Sequence, residues 1–146
     1  MNSFYIPFLS FYIKISFLEN KIKRIDFVKS AKKSELNLLS KKFEDFLKGK
    51  VSRKEMYSFL DFSGCSFFQK KIYKSMSSLN STITYKNLAE KNKTSPRAIG
   101  GAMKRNPFLL VVPCHLVVSK NGCGGFSALN GFETKKKLID LEPYFL

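Results

Sequence analysis

A chain of 146 residues is long enough for one ordinary domain, or for a small domain packed on a larger one, and too short for more. Apolar residues make up 44% of it and 15 phenylalanines lead the aromatics, which supplies a packed core and excludes a disordered chain. Lys and Arg number 26 against 11 Asp and Glu, giving a formal charge of +15, so polyanions are the natural partners, nucleic acid first, unless the lysines merely coat the surface.

The chain opens on an apolar run, but no basic stretch precedes it and no small-residue cleavage site follows, so it does not read as a signal peptide. Residues 4–13 are also too few to span a bilayer, and Lys14 interrupts them. Over residues 11–28, partial alternation on both sides of Glu19-Asn20 predicts a β-hairpin. Leu36, Leu39, Phe43, Phe46 and Leu47 then recur at helical spacing, predicting an amphipathic helix within 34–48. These elements make a small α/β N-terminal domain, expected to cover residues 1–62 because Ser63-Gly64 breaks the pattern.

Residues 63–146 read as a second, mostly helical domain, so the fold class is α+β. Phe68, Ile72, Met76 and Leu79 predict a helix over about 67–79. Thr84 can cap a short helix carrying Leu88 and Ala89, and a polar turn at 91–94 ends it. Ser95 is a good N-cap and Pro96 suits the first position of the next helix, where its missing N–H costs nothing. Two short helices joined by a tight polar turn have the proportions of a helix-turn-helix, although helical pairs without a DNA role are common. Gly100-Gly101 either ends the second helix or, with Ala98 and Ala102, gives it a smooth face that can press on a bulky surface, with Arg97 as its one long side chain. Residues 109–112, Leu-Leu-Val-Val, read as a buried strand ended by Pro113, and a closing helix is expected over about 133–141.

Three cysteines, Cys65, Cys114 and Cys123, are odd in number and lack Cys-x-x-Cys spacing, which argues against a disulfide framework and for a reducing, cytoplasmic setting. His115 is the single histidine, so no metal site is expected. In Pro113-Cys114-His115 the imidazole can activate the thiol by accepting its proton, because the thiolate is the nucleophile. Consecutive strand residues point to opposite faces, so the pair needs a bend or an intervening water. A third group must fix the tautomer of the imidazole, and Glu142 is the best-placed carboxylate. On its own, a lone cysteine is more often an inert buried thiol.

Four blocks follow one another in order: Phe68-Gln69; Ile83-Thr84-Tyr85 with Leu88-Ala89; Arg97-Ala98-Ile99-Gly100-Gly101-Ala102-Met103; and Asn106-Pro107 leading into Pro113-Cys114-His115-Leu116-Val117. In these blocks, over about residues 67–142, the chain resembles the O6-alkylguanine-DNA alkyltransferases. The resemblance implies a DNA-repair protein that flips the damaged guanine out of the duplex and moves its alkyl group irreversibly onto Cys114. It further implies His115 as a base acting through water, Glu142 as its orienting carboxylate and Tyr85 as proton donor to the leaving base. Asn106 would brace the active-site turn, and Met103, Phe126 and Ser127 would line the base pocket. Arg97 would insert into the stack, and Ala98, Gly100 and Ala102 would lie against the minor groove. The implied partner is duplex DNA containing O6-alkylguanine, with no cofactor, no membrane and no obligate protein partner. An S-alkyl cysteine is a thioether outside thiol–disulfide exchange, so the protein would react once.

Leu116 stands where the family usually carries arginine, residues 125–131 are about two longer than the usual glycine-rich pattern, and the first sixty residues match only in general character. Two rivals remain: a DNA-binding protein that senses alkylated bases without removing the alkyl group, and a helix-turn-helix regulator in which Cys114 only packs.

Overall fold

The computed structural model describes residues 1–34, 36–122, 124–125 and 131–142, with the side chain of Phe132 left out. Its first element is a three-stranded antiparallel sheet in the order β1 (Asn2–Phe8), β2 (Phe11–Leu18), β3 (Lys21–Val28). The hairpin expected over 11–28 is present, with Leu18 opposite Lys21 across the Glu19-Asn20 turn. β1 extends it, pairing Asn2 with Phe17 through to Phe8 with Phe11. Period-2 alternation sends Phe11, Ile13, Ile15 and Phe17 to one face, with Phe4 and Ile6 of β1 and Ile22, Ile25 and Phe27 of β3 also buried.

Helix α1 (Leu38–Leu47) adds Leu39, Phe43 and Phe46 to this core, and the Phe43 ring meets that of Phe4 edge-on at 6.4 Å. It starts later than the sequence suggests because Asn37 caps it, accepting from the backbone N–H of Ser40. Leu36 thus precedes the helix and is 76% exposed, and Leu38, in its first turn, is 87% exposed. A short helix α2 (Arg53–Tyr57) follows, capped by Ser52.

The outer edge of β3 is closed by later chain segments. Ile22 N–H donates to Phe59 O at 2.7 Å, Asp61 N–H donates to Ile22 O at 2.9 Å, and Ile25 N–H donates to Pro107 O at 2.8 Å. An edge strand that would otherwise invite pairing with another chain thus fastens the loop after Asn106 to the sheet.

The rest of the described chain is mainly helical: α3 (Phe67–Ser75), α4 (Tyr85–Lys91), α5 (Pro96–Lys104) and α6 (Gly131–Leu141). α3 stops short of Leu79, with Met76 already its C-cap. α4 and α5 form the expected helix pair, capped by Thr84 and Ser95, with Pro96 in the first turn of α5. α5 runs through Gly100-Gly101 to Lys104, so the glycines lie inside the helix and do not end it. Between these helices β4 (Ile83–Thr84) pairs in parallel with β5 (Val117–Val118).

Candidate active site

Residues 109–112 are not a strand. Val112 N–H donates back to Phe108 O and Val111 N–H to Leu109 O, each at 2.9 Å, and Leu110 has φ +72°. The carbonyls that a sheet ladder would use have other partners. Leu110 O and Val111 O each accept from the Arg53 guanidinium at 3.1 Å, and Val112 O accepts from Asn106 Nδ2 at 3.0 Å. Asn106 Oδ1 also accepts from Phe108 N–H at 2.9 Å, so this buried amide fixes both sides of the turn.

Pro113 leads into one 3-10 turn, Cys114–Leu116, and then into β5. The turn departs from strand geometry, so the Cys114 and His115 side chains are not opposed as successive strand residues are. Cys114 is 4% exposed, and burial pushes its thiol above the ordinary 9.0, against the opposing effects of the Asn106 amide and the Lys135 charge. His115 is fully buried, and burial holds its imidazole below 6.5 although the Glu142 hydrogen bond pulls the other way.

Glu142 follows α6 directly, and its Oε1 lies 2.9 Å from His115 Nε2. The same carboxylate receives a two-pronged contact from Arg53, Nη1 to Oε2 at 2.7 Å and Nη2 to Oε1 at 2.9 Å. Burial pushes the Glu142 carboxyl up, but the hydrogen bonds and charges of His115 and Arg53 outweigh it and the net direction is down. An ionised carboxylate can only accept, so Nε2 carries the imidazole proton and Nδ1 is left with its lone pair. Nδ1 is the one buried side-chain polar atom among the described residues without a hydrogen-bond partner.

The parallel pairing of Ile83 with Val117 and Thr84 with Val118 carries Tyr85 to the edge of the Cys114 turn. Its hydroxyl is pushed upward, first by burial and then by Cys114, so it holds its proton at neutral pH. Lys135 of α6 is fully buried, donates to Val117 O at 2.6 Å and Gly125 O at 3.0 Å, and lies 5.6 Å from the centre of the Tyr85 ring. Gly124, at φ +73°, passes so close that a β-carbon there would meet Tyr85 Cε2 at 2.9 Å. Beyond Tyr85 a cavity of about 450 Å³ opens, lined by Thr84, Lys86, Asn87, Pro96, Ser119 and Lys120.

Of the α5 residues singled out in the sequence, Arg97 is exposed and Ala98 and Gly100 are part-exposed. Ala102 does not share their face. It is fully buried because Ile99, Ala102 and Met103 form the i, i+3, i+4 stripe that packs inward, and Tyr73 Oη donates to its carbonyl at 2.6 Å. Met103 is 8% exposed. Leu116, which stands where the family usually carries arginine, is 1% exposed. Phe126 and Ser127 lie outside the described residues. Two site neighbours escaped the sequence reading. Arg53 lies 89 positions from Glu142 with no local signal, whereas Lys135 could have been noticed as the i−3 neighbour of Leu138 on the inward stripe of α6.

Residues 67–144 match the family model described as "6-O-methylguanine DNA methyltransferase, DNA binding domain". A methylated-DNA--protein-cysteine methyltransferase of Metallosphaera sedula is 37% identical over 131 residues, covering 85% of this chain and 81% of that protein. A protein of the same name from Thermococcus kodakarensis is 49% identical over 86 residues, 57% of this chain and 48% of that protein. Among solved structures, the O6-methylguanine-DNA methyltransferase of Pyrococcus kodakaraensis strain KOD1 superposes with a TM-score of 0.80 at 29% identity, covering 96% of this chain and 97% of that one. The ordered motifs, the fold and these likenesses agree, and the chain belongs to the methylated-DNA--protein-cysteine methyltransferase family.

Proposed function

We propose that this chain carries out the reaction its family is named for, taking the alkyl group of O6-alkylguanine in duplex DNA onto Cys114 and keeping it. The observation that carries this reading is the buried relay in which Glu142 fixes the His115 tautomer and leaves the Nδ1 lone pair on the residue next to the thiol. Nδ1, through a water molecule, takes the thiol proton, and Cys114 Sγ attacks the alkyl carbon. The C–O bond breaks with its electron pair going to the guanine oxygen. Tyr85 passes a proton to the departing base, so that neutral guanine is left in the DNA, and regains one from the His115 imidazolium. The S–C bond formed is a thioether that no group here can cleave, and the protein is spent after one event.

A base buried in a duplex cannot reach a thiol that is 4% exposed, so the damaged nucleotide has to be turned out of the stack, at a cost of a few kcal/mol that weakened pairing reduces. Arg97 at the start of α5 suits insertion into the vacated space, and the part-exposed Ala98 and Gly100 suit close approach of the minor groove. Met103, Phe126 and Ser127 complete the reading as pocket residues, and Asn106 as the brace of the turn. The division of labour follows the boundary at 62/63, with residues 63–146 bearing the chemistry and residues 1–62 supporting it. A cytoplasmic setting suits an acceptor that must remain a thiol.

Excess duplex carrying a labelled methyl on O6 of guanine tests the reading. One methyl should be removed per protein and no more, while Cys114→Ala should bind the duplex and remove none. Continuing turnover, or removal by the alanine variant, would overturn it; binding without removal by the unaltered protein would favour a sensor.

A further inference from the structure

The Arg53 guanidinium is 4% exposed, and among the described residues it is the one buried arginine. It comes from α2, on the N-terminal side of the 62/63 boundary, yet nearly all its hydrogen bonds end in the reaction centre. Two go to the two oxygens of Glu142, and two go to the carbonyls of Leu110 and Val111, which set the path of the chain into the Cys114 turn. A fifth, at 3.3 Å, reaches Leu79 O. Such fork-to-fork pairing fixes the plane and direction of a carboxylate, as a lysine's point charge cannot.

We propose that Arg53 is a positioning residue of the transfer reaction, aligning the Glu142 carboxylate on His115 and so making α2 of the N-terminal domain part of the active site. The inference rests on the alkyl-transfer reading. Glu142 is asked to stay ionised in a buried place and to accept from Nε2 with one particular oxygen. Arg53 meets both demands, supplying the opposite charge and donating to each carboxylate oxygen, so that Oε1 is held towards Nε2.

Among the described residues, the charged groups acting on the His115–Glu142 pair are Arg53 from α2 and Lys135 from α6, while Tyr57 of α2 feels both Arg53 and Cys114. Without the guanidinium, either Glu142 keeps its charge and draws a proton onto His115, or burial protonates Glu142 and frees the imidazole to change tautomer. Both remove the base as pH falls, and both do so at a higher pH than in the unaltered protein.

Single-turnover methyl transfer followed from pH 5 to 9 for the full chain, Arg53→Met and Arg53→Lys measures this directly. His115 is the single histidine, so its ¹⁵N resonances report tautomer and titration without assignment ambiguity. Arg53→Met should move the acid limb up by about one pH unit, a roughly tenfold loss of rate on that limb, with a matching change at the imidazole. Arg53→Lys keeps the charge and loses the fork, and should fall between; it also serves alone if the methionine variant does not fold. Folded variants that keep the acid limb and the Nε2–H tautomer of the unaltered protein would overturn the proposal, even if they melt earlier. An unaltered protein that transfers no methyl would instead overturn the reading beneath it.

Discussion

Cys114 has to act as a nucleophile from a place that disfavours its charged form. Burial lifts its thiol above 9.0, so at neutral pH few molecules carry a free thiolate, and activation depends on a base that can take the proton at the moment of attack. His115 qualifies because burial keeps it below 6.5 and therefore unprotonated at neutral pH. The two shifts run in opposite directions and leave a window between them. Methyl transfer should therefore be flat from about pH 7 to 8.5 and fall only on the acid side of 6.5, as read from single-turnover rates. A rate rising about tenfold per pH unit across that range would mean attack by free thiolate without the relay.

Helix α5 shows how much an element reveals when its determinants are local. Ser95 as cap and Pro96 in the first turn were legible because both act within four residues, and the structure starts the helix there. Gly100 was ambiguous between a helix end and a smooth face; α5 continues past it, and a β-carbon there would meet nothing within 4 Å. The fold therefore does not require glycine at 100. Gly100→Ala should raise stability by up to about 1 kcal/mol in thermal unfolding while weakening binding to undamaged duplex. Equal or tighter binding would remove this face from the DNA surface. Residues 109–112 teach the opposite lesson. Four apolar residues before a proline have the composition of a strand, but their carbonyls bond to Arg53 and Asn106, and no local pattern announces a partner more than fifty positions away. The strand Asn2–Phe8 was unread for a related reason: its apolar residues fall at adjacent as well as alternate positions, and Pro7 interrupts them, so period 2 does not stand out.

At the scale of the molecule, the α+β division and the order of the helices were readable from periodicity, while the junction between the halves was not. That junction includes single long-range contacts: β3 receiving Pro107 on its outer edge, and Arg53 crossing to Glu142. The reaction centre is legible in the chain as Pro113-Cys114-His115, yet two of its buried charges, Arg53 and Lys135, looked in sequence like members of an evenly spread basic surface. What separates self-alkylation from sensing or hydrolysis is where the alkyl group ends. Incubating the protein with an O6-methylguanine duplex and weighing it intact, then mapping the change by peptide digestion, tests it most directly. The protein should gain one methyl group, confined to the peptide that carries Cys114 and complete after a single equivalent. An unchanged mass while the DNA is repaired, or a methyl group on Cys65 or Cys123 with Cys114 unmodified, would contradict it.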